Sequence, residues 1–277
     1  MPDPLVDPDT ALLDRLDVEA RQAELAIPHP EDDHPAHEVR RPIAARAAHL
    51  PLRPRGVVVR RPPDVKPQRQ YNSSRRRAQA ARTRDDVVVA AHQLFLADGY
   101  GQTTISAVAE AAGVSVETIY KAFGGKPGLL RAVVTKGLQG VGPVPAEERS
   151  DQMQAAERDP RAVIHNWSRL ATEVAPWTAP IVLLIRSAAG TDPAMADLLT
   201  EVDDQRLRRM EANARTLHDR GDLRDGMTLE HARDVLWTMS SAELYELLVL
   251  RRGWSLDRFA AFQAEQMIAA LLPPPQE

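Results

Sequence analysis

The stretch TTISAVAEAAGVSVETIYKAFGGK, residues 103–126, decides how this chain is read. Ile105, Val108, Ala109 and Ala112 recur at i, i+3, i+4 and i+7, which places four apolar groups on one side of a short helix with Thr104 as its N-cap. Gly113 ends that helix, and Ser115 caps a second one. On the second helix Val116, Ile119, Ala122 and Phe123 share one face, while Glu117, Thr118, Tyr120 and Lys121 take the other. Two short helices joined by a tight turn containing glycine form a helix-turn-helix pattern. Such a pattern predicts that the polar face of the second helix enters a DNA major groove, which admits a helix and presents every base pair differently.

The flanks extend the pattern. Val87, Val88, Ala91, Leu94 and Phe95 make an apolar stripe on a helix predicted from about Arg84 to Asp98, ending at Gly99. Gly124 and Gly125 close the second helix. Pro127 then suits the first turn of a fourth, carried by Leu129, Leu130, Val133 and Val134. Lys126, beside that helix N-terminus, is placed for a phosphate.

In the order Ala91, Leu94, Phe95, Gly99, Tyr100, Thr103, Thr104, Ile105, Val108, Ala109, Ala112, Gly113, Val114, Ser115, Thr118, Ile119, Tyr120, Phe123, Lys126, Leu129, Leu130, the segment resembles the DNA-binding domain of the TetR family of bacterial transcriptional regulators. The resemblance spans residues 82–137, about a fifth of the chain. It implies that Thr104 and Lys126 hold phosphates, and that Tyr120 touches backbone or a thymine methyl. It further implies that Ser115, Val116, Glu117, Thr118 and Lys121 occupy base-reading or phosphate positions, in a homodimer on a palindromic operator. Ile105 departs from the polar or basic residue that some members place there, which moves readout onto the second helix. Simpler roles compete: Thr104 and Ser115 serve as helix caps in any case, and a first-turn acid such as Glu117 is explained by the helix dipole alone. Tyr120 lies opposite Ile119 and Phe123, which favours an outward role.

Composition narrows the alternatives. With no cysteine, disulfides, zinc–thiolate sites and cysteine nucleophiles are excluded. No apolar run approaches the ~18 residues of a membrane span, and the acidic, proline-rich start (MPDPLVDPDT) is unlike a signal peptide, so a cytoplasmic location is expected. The formal charge of −4 conceals segregation: residues 1–39 hold 11 acids and 2 bases, residues 40–74 hold 9 bases and 1 acid, and residues 75–140 hold 9 bases and 5 acids. Positive charge therefore gathers just before and within the helix-turn-helix, where release of counterions from DNA rewards it.

Residues 1–74 read as a disordered extension, acidic and then rich in Pro and Arg, with helical spacing only over Thr10–Ala26. Arg60, Arg61, Arg69, Arg75, Arg76 and Arg77 would form a basic arm along DNA, or a solvated tail. The DNA-binding domain is expected over 75–140 and a linker over 141–152, where Gly140, Gly142, Pro143 and Pro145 interrupt the fourth helix. Residues 153–277 read as a helical effector-binding and dimerisation domain, so the fold class is all-α. Its helices are expected from Arg161 to Val174, broken by Pro176 and Pro180; from Pro193 to Arg220, capped by Asp192; from Thr228 to Leu250, with a kink at Ser240 and Ser241; and from Leu256 to Leu272, capped by Ser255.

Helices 228–250 and 255–272 carry Leu244, Leu247, Leu248, Leu250, Phe259, Phe262, Met267, Ile268, Leu271 and Leu272, more apolar surface than a short bundle needs, and are read as a homodimer interface. Two heads about one helical turn (~34–36 Å) apart would read two half-sites together. A small-molecule pocket is expected among the helices of 161–240, with His165, Trp167, Trp177, Arg186, Trp237 and Met239 as candidate walls, although aromatics and methionines at helical spacing also serve as plain core. Arg186 in the run IVLLIRSAAG would meet an anionic ligand, or pair with Glu173 or Asp203. Catalysis is not expected. GGKPG at 124–128 lacks the leading glycine and the hydroxyl of a phosphate loop, and there is no HExxH, GxSxG or GxGxxG. His29, His34 and His37 have loose metal-like spacing without a rigid frame, and no cofactor or metal is implied. The function expected is a ligand-responsive DNA-binding repressor released by an effector. The alternative is a small-molecule sensor of the same architecture that no longer binds DNA, which Ile105 and Glu117 would favour.

Overall fold

A computed structural model describes residues 68–274, and all of their regular structure is helical. The helix expected over 10–26 and the extension as far as residue 67 lie outside them. In chain order the helices are α1 (Gln68–Gln102), α2 (Ile105–Ala111), α3 (Val116–Phe123), α4 (Lys126–Gln139), α5 (Ala146–Ala156), α6 (Pro160–Ala189), α7 (Pro193–Arg220), α8 (Leu229–Met239), the single turn α9 (Ala242–Tyr245) and α10 (Leu256–Leu271). A π-helical segment, Glu246–Arg251, joins α9 to α10.

Five boundaries differ from expectation. Helix α1 begins at Gln68, well before Arg84, because no Pro or Gly interrupts residues 68–98 and the stretch is rich in Ala, Arg and Gln. The domain boundary expected at 74–75 therefore falls inside a helix. At Gly99 the backbone turns to φ 76°, ψ 170°, and the chain runs on for one further turn. Much of the expected linker 141–152 is helix α5, whose start at Pro145 is followed by Glu147 and Glu148 facing the positive end of its dipole. Pro176 and Pro180 lie inside one continuous α6. Each costs about 3 kcal/mol in a helix interior, and this is offset by packing: α6 touches α1, α4, α5, α7, α9 and α10 and buries Ile164, Trp167, Ile181 and Ile185. Finally, the kink at Ser240 and Ser241 is a complete break, with Ser241 Oγ accepting from Leu244 N at 3.3 Å to cap a new helix.

Helix α7 follows expectation. Asp192 Oδ1 accepts from Ala194 N at 2.9 Å, Pro193 opens the helix, and Gly221 closes it in the left-handed region at φ 73°.

The first core joins head and body. Val88, Ala91 and Phe95 of α1, Val108 of α2, Ile119 of α3 and Leu130 and Val133 of α4 pack in one cluster with Ile181 and Ile185 of α6 and Met195 and Leu198 of α7. A second cluster gathers Ile164, Trp167, Ala214, Leu217, Leu236 and Met267 from α6, α7, α8 and α10. This second core, with a third formed by Ala179, Ala242, Tyr245 and Phe259, corrects the expected dimer surface. Phe259, Met267, Leu271 and Leu272 are buried within the protomer, because α10 lies along α6 and α8. Of the apolar residues assigned to that surface, Leu247 stays 51 % exposed, and Leu256 beside them 39 %.

Candidate DNA-reading surface and ligand cavity

Two hydroxyl caps set the reading head. Thr104 Oγ1 accepts from Ala107 N at 3.0 Å to start α2, and Ser115 Oγ accepts from Thr118 N at 3.1 Å to start α3. The turn between them closes through Val114 N donating to Ala109 O at 2.9 Å, with Gly113 at φ 64°. Ile119 is fully buried under α3, which fixes the rotation of that helix. Ser115, Val116, Glu117, Thr118, Tyr120 and Lys121 are consequently all exposed, along with Thr104, and Tyr120 shows 54 % of its surface. Arg84 holds the far end of the helix: its Nη1 donates to Ala122 O at 3.0 Å, and its guanidinium sits 4.2 Å from the centre of the Phe123 ring.

Lys126 has a different placement. Its ammonium donates to Tyr100 O at 2.7 Å and to Thr103 O at 2.9 Å, and lies 4.5 Å from the Tyr100 ring centre. A cation at the end of α1 meets the negative pole of that helix dipole. The phosphate role read from its position must compete with these bonds.

Polar links tie head to body. Tyr100 Oη donates to Asp192 Oδ2 at 2.6 Å; burial, then this bond, pushes the phenol up to about 12, and the same bond holds the carboxyl below its usual range. Trp177 Nε1 donates to Val133 O at 3.0 Å, and the indole stacks on His92 at 3.8 Å between ring centres. Since Trp177 O can only accept, His92 Nε2 carries the proton of their 3.2 Å bond. Burial lowers the His92 pKa from its usual 6.5. The unfolded chain therefore takes up a proton that the folded chain refuses, so this group's contribution to stability is complete above pH 6.5 and is lost as pH falls below it. Urea unfolding should show that loss as pH falls below 6.5, and His92→Phe, which keeps the stack, should flatten the profile there.

Between α6, α7, α8, α9 and α10 lies a cavity of about 400 Å³, within the range of small-molecule sites. Trp167, Arg186 and Met239 line it. The other three residues assigned to a pocket do not. His165 is exposed on the outer side of α6; Trp177 is committed to Val133 and His92; and Trp237 packs under Arg206, whose guanidinium lies 4.3 Å from its ring centre. Arg186 pairs with Glu243 and, at 3.6 Å, with Asp203, so the pairing with Asp203 is present and Glu173 instead binds Arg149. Arg206 reaches Asp203 at 3.3 Å and donates to Trp237 O at 2.6 Å, closing the end of the broken helix α8; burial lowers its pKa.

Sequence reasoning missed Arg84, Arg206, Asn213 and Gln263. The first two act on carbonyls far along the chain, and no spacing rule reports that. Asn213 and Gln263, polar residues at apolar positions of α7 and α10, did carry a signal, the interruption of a hydrophobic stripe.

The described residues thus join a helix-turn-helix with an outward polar face to an all-α body that encloses a cavity. Residues 87–133 match the family model described as bacterial regulatory proteins, tetR family. The match covers the helix-turn-helix and the helices flanking it, so this segment is similar to the DNA-binding domain of that family. Solved structures of similar fold include SmeT in complex with triclosan (21 % identity, 70 % of this chain and 99 % of that one, TM-score 0.54). They also include NalD of Pseudomonas aeruginosa, described as the secondary repressor of the MexAB-OprM multidrug efflux pump (21 %, 70 % and 98 %, 0.56). The fatty acid degradation regulator FadR of Bacillus halodurans is a third (17 %, 67 % and 94 %, 0.56). At these identities the likeness is one of fold. No curated protein matches the chain. Among the described residues no helix is long and apolar enough to cross a membrane.

Proposed function

We propose that the chain is a cytoplasmic, ligand-responsive repressor that binds a palindromic operator as a homodimer and leaves it when a small molecule occupies the cavity. One observation carries the reading: α3 presents Ser115 to Lys121 outward while its buried side belongs to the same core as α6 and α7, two walls of the cavity. A ligand that displaces α6 or α7 must therefore move the head, because close-packed cores transmit shifts. Thr104 and Lys126 are assigned to phosphates, Lys126 by exchanging its bonds to Tyr100 O and Thr103 O; Ser115, Val116, Glu117, Thr118 and Lys121 to base edges or phosphates; and Tyr120 to backbone or a thymine methyl. Exposed Arg75, Arg76 and Arg77 on α1 add positive charge upstream of Arg84, consistent with a basic arm. The dimer is assigned to the helices of 228–250 and 255–272, through Leu247, Leu256 and the edge-packed pair Trp254 and Phe262.

The test uses DNA flanking the chain's own gene, screened for an inverted repeat and titrated by fluorescence anisotropy. Tyr120→Ala should weaken binding by about 1–3 kcal/mol, roughly five- to a hundred-and-fiftyfold, and Lys121→Ala should reduce the salt slope by about one. Unchanged isotherms for the double variant would remove α3 as the reading element.

A further inference from the structure

The walls of the cavity hold polar groups with nothing to bond. Among the described residues, Trp167 Nε1, Asn213 Oδ1 and Gln263 Oε1 are buried without a hydrogen-bond partner, and all three residues line the cavity, from α6, α7 and α10. The residues themselves are 6 %, 5 % and 3 % exposed. Gln263 spends its amide nitrogen on Met239 O, which leaves its oxygen as the open valence. Leaving a buried polar group unsatisfied costs about 1–3 kcal/mol, a cost that an occupant offering the matching donor or acceptor removes.

Their chemistry specifies that occupant. Two carbonyl oxygens ask for donors, and an indole N–H asks for an acceptor. The charged groups of the lining are already engaged: Arg186 with Glu243 and Asp203, Arg206 with Asp203, and Arg209 with Asp151 at 2.7 Å and Ser150 Oγ at 2.8 Å. Arg208, the remaining arginine there, is exposed to solvent. A carboxylate entering the cavity would lose its hydration without gaining a free buried cation, a costly exchange. Leu170, Val182, Leu236 and Met267 supply apolar surface to the same walls.

We propose that the cavity takes an uncharged, mainly apolar molecule that carries both a hydrogen-bond donor and an acceptor, as a primary amide does, read by Asn213, Gln263 and Trp167. This rests on the cavity being the effector site. Asn213, Gln263 and Trp167 are then specificity determinants, and they reject the matching acid as well as the matching hydrocarbon.

The experiment uses the full chain and two isosteric pairs as probes: biphenyl-4-carboxamide against biphenyl-4-carboxylate, and dodecanamide against dodecanoate. Binding is followed by tryptophan fluorescence and by the shift in melting temperature. The amide of a pair should bind about tenfold or more tighter than the acid, the discrimination expected where buried polar groups are met or left unmet. Asn213→Leu and Trp167→Phe should each remove most of that preference. A carboxylate that binds as tightly as its amide, or an amide preference that survives both substitutions, overturns the proposal. Without any probe, Asn213→Leu should raise the melting temperature, since it removes an unmet polar group while keeping the same number and branching of side-chain heavy atoms; a melting temperature that fails to rise shows that Asn213 is satisfied within the protein and overturns the proposal even if no probe binds. Operator release is scored separately by anisotropy. An amide that binds with the stated preference but leaves the DNA complex intact counts against the repressor reading and leaves the cavity chemistry standing.

Discussion

Gly128→Ala is expected to abolish operator binding and to lower the stability of the protein by about 3 kcal/mol or more, the upper end for overpacking. A Cβ at this position would overlap Phe123 O outright and lie 2.8 Å from the carbonyl carbon of the same residue. These are backbone atoms at the end of α3, so no side-chain rotation relieves the clash. Either α4 moves away from α3 or α3 turns, and a turned α3 no longer presents Ser115 to Lys121. Urea denaturation followed by circular dichroism measures the stability, and anisotropy measures the binding. Gly190→Ala is the control: Gly190 has helical φ −68° and ψ −19°, and a Cβ there meets nothing within 4 Å. It should be neutral or slightly stabilising, by up to about 1 kcal/mol. Wild-type behaviour of Gly128→Ala would contradict the packing of α4 on the reading helix.

The second large effect is expected where head meets body. Gly137 of α4 is buried against α6, and a Cβ there would come within 2.5 Å of Thr178 Cγ2 and against the Trp177 indole. The indole cannot swing aside, being held by Val133 O on one edge and by the His92 ring on its face. Gly137→Ala should therefore cost about 1–3 kcal/mol and loosen α4 from α6. Its effect on ligand-induced release of DNA should exceed its effect on operator affinity, because α3 itself is untouched. Adding Thr178→Ser, which deletes the crowding methyl, should restore part of the stability. If the double variant were no more stable than the single one, the clash would lie elsewhere.

These contacts also mark what the sequence made legible. The reading head was legible because its signals are local: Thr104 and Ser115 cap within three residues, Gly113 and Gly124 take left-handed conformations, and the apolar spacing of Val108 and Ile119 faces inward. Helix α7 was legible for the same reason, bounded by Asp192 and Gly221. The prolines of α6 misled because a local penalty was weighed without the burial that surrounds a central helix. The cavity was legible only as a region. Trp167, Arg186 and Met239 line it while Trp177 and Trp237 do not, and that choice depends on which neighbouring helix each indole meets. The outward faces of α8 to α10 were overcounted as dimer surface because Phe259, Met267, Leu271 and Leu272 cover the protomer's own interior, a fact of tertiary packing that periodicity alone does not carry.

The single cluster shared by α1, α3, α4, α6 and α7 has an evolutionary consequence. A substitution that reshapes the inner wall of α6 or α7 to admit a new molecule also perturbs residues supporting the candidate DNA-reading surface. Under the proposed function, drift toward another inducer alters promoter occupancy in the same step, and lineages changing one trait should accumulate compensating replacements at the α4–α6 seam, around Gly137 and Trp177.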